Sequence, residues 1–261
     1  MKFAAQLIAL LLIALSWLHN AGAQPNNEWA WTKEKWTSSD TPYLKVREAI
    51  GPLYRAKKLN DKQLKICEKA ALQKPKDALA LFRWGYYGFC LALLQPDVTI
   101  GSGKVGKASQ AFANGPTPRS YEYTRLRYLM LSYLLQSGPN MAELSERLLK
   151  RNRNDYFVKY YAVSHHFTGK PKDEALALKL VNELVEAEPQ NALVVGLRGY
   201  LYQRWWWRYR KMEDARKSIE NYQRYLELAD FPAGDIHRRR TENNIKRLQE
   251  QLQKALQNSK G

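Results

Sequence analysis

The sequence predicts an all-α protein in which short helix pairs stack into an α-solenoid, and three observations predict it. From Thr41 onward apolar residues recur at helical spacing, with no run of strict alternation. Gly, Pro and Asn punctuate these stretches at short intervals. Pro42, Pro75, Pro118, Pro189 and Pro232 each sit at the start of a helical stretch, with Arg153 in the equivalent place once, at intervals of 33, 43, 35, 36 and 43 residues. Periods of this size mark stacked architectures, because a short helix pair cannot bury its apolar face until a neighbour covers it.

Residues 1–23 read as a signal peptide. Met1 and Lys2 form a positive start, Phe3 to Leu18 is a nearly unbroken apolar run, and Ala21-Gly22-Ala23 supplies the small-x-small cleavage pattern. The run is shorter than the roughly 20 residues of a spanning helix, so the expected product is exported, cleaved near Ala23 and periplasmic or secreted. Residues 24–40 form a polar, extended lead-in carrying Trp29, Trp31 and Trp36. The helical domain covers 41–258. Its predicted pairs are 42–57 with 60–73, 76–94 with 104–113, 119–136 with 139–150, 154–168 with 172–187, and 190–209 with 212–229. The two long intervals hold insertions, a loop over Gln95–Lys104 and a Trp-rich stretch from Trp205 to Lys211. A very polar last helix near 234–257, with the sparse stripe Ile245, Leu248, Leu252 and Leu256, suits a terminal cap.

Two stretches carry a family resemblance. Pro189-Gln-Asn-Ala192-Leu-Val-Val-Gly-Leu-Arg-Gly199-Tyr-Leu-Tyr202 and Pro75-Lys-Asp-Ala78-Leu-Ala-Leu-Phe-Arg-Trp84-Gly85 resemble the opening helix of the tetratricopeptide repeat. Asp173-Glu174-Ala175, Ala187-Glu188-Pro189 and Tyr222-Gln-Arg-Tyr-Leu-Glu-Leu228 are similar to its second helix. The resemblance covers roughly 42–232. It departs at Tyr128 and Val163, where the family has a small residue, and at Arg153, where it has Pro. It implies about five right-handed helix-turn-helix repeats, with Gly85 and Gly199 as points of close helix approach. It also implies a concave groove that binds a protein or peptide partner. Carried over position by position, that groove contains Phe82, Tyr86, Phe89, Arg125, Tyr133, Phe157, Tyr160, Phe167, Tyr200 and Arg204. Aromatics and arginines of this kind dominate interface energetics. The competing reading is interior packing, since the helix from Leu79 to Phe89 is apolar nearly all round.

Arg204-Trp205-Trp206-Trp207-Arg208-Tyr209-Arg210-Lys211 is a second candidate surface. Successive residues step by about 100° around a helix, so three consecutive Trp cannot share one face. Packing against the polar last helix, a membrane interface and an anionic envelope polymer all suit this run. So does single-stranded nucleic acid, which the expected export disfavours. His237-Arg238-Arg239-Arg240 lies near in sequence. The formal charge of +17 becomes +16 without Lys2, a field that attracts anionic partners.

No catalytic constellation, cofactor motif or metal-ligand spacing is legible, so an enzyme is not predicted. Gly101-Ser-Gly-Lys-Val-Gly106-Lys107-Ala108 nearly matches a phosphate loop, but Ala108 replaces the Ser or Thr that holds Mg²⁺, and a flexible loop is expected there. His165-His166 cannot place two ligands on one helix face and reads as structural. Cys67 and Cys90 allow one bridge or two buried thiols.

Overall fold

The computed structural model describes residues 38–94, 98–135, 140–168, 173–229, 231 and 235–258. The signal-peptide and lead-in expectations, Trp29, Trp31 and Trp36 included, lie outside the described residues, save for Ser38 to Asp40. Among the described residues there are eleven helices and no strand. Where one domain is predicted over 41–258, contacts gather the chain into two units, Asn27–Lys172 and Asp173–Gly261. The predicted pair 154–168 with 172–187 is divided by that boundary.

The first unit contains α1 (Thr41–Arg55), α2 (Asp61–Gln73), α3 (Ala78–Leu93), α4 (Val98–Asn114), α5 (Tyr121–Leu135), α6 (Met141–Arg151) and α7 (Tyr156–Thr168). Short polar residues start several of them. Asn60 Oδ1 accepts from Gln63 N at 3.0 Å, Asp77 Oδ1 from Leu79 N and Ala80 N at 2.9 and 3.1 Å, and Asp155 Oδ1 from Val158 N at 3.1 Å. Each bond satisfies a donor that the helix itself leaves open. α3 is the hub, packed on by α1, α2, α4 and α5. Its mean hydropathy is high, and from Leu81 to Leu93 only Arg83 is exposed. α1 and α2 are consecutive in sequence, yet each packs mainly on α3 rather than on the other.

The predicted loop over Gln95–Lys104 is corrected by α4, which is already helical at Val98. Gly101, Gly103 and Gly106 each cost about 1 kcal/mol against Ala in a helix, which is why the sequence alone suggests a loop. Packing overrides that cost. Val105, Ala108 and Phe112, on one helical stripe, are fully buried, and a side chain at Gly88 of α3 would lie 3.2 Å from the Lys104 carbonyl. The near-match to a phosphate loop therefore lies on a helix.

The second unit contains α8 (Glu174–Ala187), α9 (Ala192–Tyr209), α10 (Met212–Ala229) and α11 (Ile236–Asn258). α9 and α10 form its most extensive pair. A Cβ on Gly199 would stand 3.1 Å from Asn221 Cβ and from the Tyr222 ring, and Ser218 Oγ donates to the Gly199 carbonyl at 2.8 Å. In the first unit a Cβ on Gly85 would meet Phe112 of α4 at 2.8 Å. Gly199 thus stands where α9 and α10 come close, whereas at Gly85 the missing side chain makes room for the Phe112 ring and the Met130 sulfur. α11 buries His237, Thr241, Ile245 and Leu248, while Leu252 and Leu256 are half-buried.

Candidate functional site

The ten residues assigned to the concave groove are mostly interior. Phe82, Tyr86 and Phe89 on α3, Arg125 and Tyr133 on α5, and Phe157, Tyr160 and Phe167 on α7 are all buried. Phe82 stacks on Tyr86 with centroids 5.8 Å apart, and Phe89 meets Tyr133 edge-on at 6.0 Å. Such pairs stabilise a packed interior, and these side chains leave no open lining for a partner. The reason is visible in the helices themselves: α3 and α7 are covered on nearly every side. Tyr200 and Arg204 are half-buried on α9, with the Arg204 guanidinium 5.9 Å from the Trp207 ring centre.

Arg125 belongs instead to a buried ionic network whose members are scattered along the sequence. Arg47 donates to Glu122 Oε1 at 2.7 Å, and Arg125 Nε to Asp155 Oδ2 at 2.6 Å, joined there by the Tyr121 hydroxyl at 2.6 Å. The fully buried Asp40 accepts from Ser120 Oγ at 2.7 Å, from Glu122 N at 3.3 Å and from Arg151 at 2.9 Å. Burial opposes the charge on Arg47 and Arg125, but their carboxylate partners outweigh it and both pKa values rise. Every large charge here is compensated, so the network locks helices rather than holding a ligand. No sequence period betrays it, because its carboxylates sit just ahead of helices or inside apolar ones. His165 and His166 are likewise interior, with Ser132 Oγ 2.9 Å from His165 Nε2 and Ser145 Oγ 3.3 Å from His166 Nε2. Among the described residues no group of three or more His, Cys, Asp or Glu is arranged to hold a metal ion.

The Trp-rich run is resolved residue by residue. It continues α9 as helix up to Tyr209, and Arg210 ends it in the left-handed conformation, with φ 56°. Trp205 and Trp206 are buried, whereas Trp207 is 40 % exposed. Trp206 Nε1 donates to Gln251 Oε1 of α11 at 2.9 Å. Glu174 of α8 accepts from Trp205 Nε1 and the Tyr209 hydroxyl, both at 2.9 Å, and from Arg208. What remains accessible is a tip of Trp207 and Tyr209 with Arg208, Arg210 and Lys211.

An open recess lies in the first unit, between α1, α2 and α3. It is a cleft of about 930 Å³. α1 lines it with Thr41, Pro42, Lys45, Val46, Ala49, Ile50 and Leu53; Asn60, Gln63 and Cys67 contribute from α2 and its cap; Leu79, Arg83 and Tyr87 form the floor. Its walls are mainly apolar and its charged groups are all positive: Lys45, Lys58 and Arg83. Among the described residues no carboxylate pairs with any of these three cations. Cys67 and Cys90 are both buried. Burial pushes the Cys67 thiol pKa up, partly offset by Arg83 and by a hydrogen bond with Gln63, which keeps it a thiol.

The charge is also unevenly shared. Asn27–Lys172 carries 25 Lys and Arg against 12 Asp and Glu, whereas Asp173–Gly261 carries 16 against 13. The positive field is therefore concentrated in the unit that holds the cleft. No helix among the described residues is long and apolar enough to cross a membrane. No family model, no curated protein and no solved structure matches the chain.

Proposed function

We propose that this chain is a non-catalytic binding scaffold, a tetratricopeptide-like solenoid exported to the periplasm or beyond, that holds a protein or peptide partner. The observation that carries this reading is the cleft between α1, α2 and α3. It combines an open apolar wall with three cations that no carboxylate of the described chain neutralises. Leu53, 39 % exposed, stands at its edge, and exposed Ile66 and Leu72 lie on α2. Apolar surface left open beside uncompensated charge suits a partner that brings apolar side chains and carboxylates. The cleft takes the place of the concave groove as the contact surface, since the groove residues are spent on packing.

The test is a random peptide library displayed against wild type and against Ala49→Trp, which fills the cleft from an exposed position. Enrichment of apolar, acidic peptides that fail to bind the filled variant is the expected result. An absence of enrichment, or equal binding by the variant, removes this reading.

A second reading is favoured by the tip of Trp207 and Tyr209, which are 40 % and 48 % exposed beside Arg208 and Arg210. In this reading the tip engages an anionic lipid surface or envelope polymer. Co-sedimentation with phosphatidylglycerol vesicles should then fall steeply as salt rises and drop in Trp207→Ala.

A further inference from the structure

We infer that the occupant of the α1–α2–α3 cleft is an amphipathic α-helix bearing at least one carboxylate that meets Arg83. This rests on the cleft being the binding site and adds the conformation and chemistry of its partner.

Backbone chemistry points first to a helix. All three walls are flanks of helices, whose N–H and C=O groups bond within their own helix, so they offer an extended chain no ladder to join. The polar groups at the cleft are partly committed as well. Asn60 Oδ1 accepts from Gln63 N, and the Tyr87 hydroxyl accepts from Asn60 N at 3.0 Å. A strand laid in this cleft would leave its own backbone groups stripped of water and short of partners. A helix brings its hydrogen bonds with it.

Dimensions agree. Along α1 the lining runs from Thr41 to Leu53, about 18 Å at 1.5 Å per residue, which matches a partner helix of about 12 residues. Pro42, Val46, Ala49 and Leu53 recur at i, i+4, i+7 and i+11, a ridge into which the ridge of a second helix can pack. Both α1 and α2 rest on α3, and among the described residues the cleft between them is open along the length of α1.

Charge then selects the partner. Arg83 is the one exposed side chain in the otherwise buried run Leu81–Leu93, and it lies on the cleft floor. Lys45 and Lys58 stand with it, and no carboxylate of the described residues forms an ion pair with any of them. A basic helix would be repelled, and a neutral one would leave Arg83 covered without a partner. A carboxylate facing Arg83 forms a charge-assisted pair at little added cost.

Fluorescence polarisation on the full chain tests this with four probes. One is a labelled, lactam-stapled acidic helix of about 14 residues with leucines at i, i+3, i+4 and i+7. The second has the same composition with alternating D-residues that forbid a helix, the third has Lys for Glu, and the fourth is a dansylated fatty acid. The expected result is binding of the first probe alone, weakened about tenfold by Arg83→Glu and abolished by Ala49→Trp. Circular dichroism checks that both variants fold. Equal binding of the helix-forbidden probe overturns the helical inference and leaves the cleft as the site. Binding of the fatty acid but not the helix makes a lipid the occupant and overturns it too. Wild type sedimenting as a dimer that Ala49→Trp splits assigns the cleft to a second copy, with the same consequence. No binding by any probe overturns both the inference and the site.

Discussion

Arg125 and Asp155 meet inside the first unit through two contacts, Nε to Oδ2 at 2.6 Å and Nη2 to Oδ1 at 3.4 Å. Both side chains are buried, at 3 % and 0 % exposure. Asp155 also caps α7 through Val158 N and accepts from Tyr121. Removing one partner strands the other charge in the interior, which costs about 3–5 kcal/mol. Asp155→Asn should therefore lower stability by that order in urea denaturation. The double variant Arg125→Met with Asp155→Asn should lose less than the sum of the singles.

Two glycines on successive helices, Gly85 of α3 and Gly106 of α4, give opposite signs. A methyl at Gly85 would press on Phe112 Cε2 at 2.8 Å, whereas a methyl at Gly106 meets nothing within 4 Å. Gly85→Ala should destabilise by about 1–3 kcal/mol through overpacking. Gly106→Ala should stabilise by about 1 kcal/mol through helix propensity. Thermal melts of the two variants side by side check both directions.

The three tryptophans should separate cleanly. Trp206 is 2 % exposed and bonded to Gln251, so Trp206→Ala should cost about 3–5 kcal/mol. Trp207 is 40 % exposed, and Trp207→Ala should fall within about 0.5 kcal/mol. Denaturant titrations distinguish them, and a large loss from Trp207→Ala would contradict its placement.

His237 sets a pH dependence in the second unit. Burial lowers its pKa below the ordinary 6.5, with Asp235 opposing and Arg240 adding to the shift. The folded chain binds this proton more weakly than the unfolded chain does. Its contribution to stability is thus complete above about pH 6.5 and is lost as pH falls through the lowered value. Amide exchange in the first turns of α11 should quicken over that window, and His237→Gln should flatten the response.

Much of the helical plan is legible in the chain. Prolines mark several helix starts in the sequence, and the structure adds the caps, with Asn60, Asp77, Asp173 and Asn191 each accepting a backbone N–H of the following helix. The close approach that the resemblance implies at Gly85 and Gly199 is seen between helices at Gly199. The geometric limit on three adjacent tryptophans holds as well, with Trp207 left outside. The start of α4 is not legible, because Gly101 and Gly103 speak locally for a loop ahead of the predicted helix from 104, whereas the helix begins at Val98. For the groove aromatics the sequence offers both an interior and a contact reading, since a helix apolar on all sides looks the same whether neighbours cover it or a partner does, and burial selects the interior one for Phe82, Tyr86 and Phe89.

By itself, then, the sequence determined the helical class, most helix starts and the excess of positive charge, all properties set within a few residues or by counting. Tertiary structure decided which aromatics are spent on the interior, and it brought Asp40, Ser120 and Arg151 into one buried network. It alone opened the seat between α1 and α2, because whether two neighbouring helices in the sequence pack on each other or on a third depends on surfaces far apart along the chain.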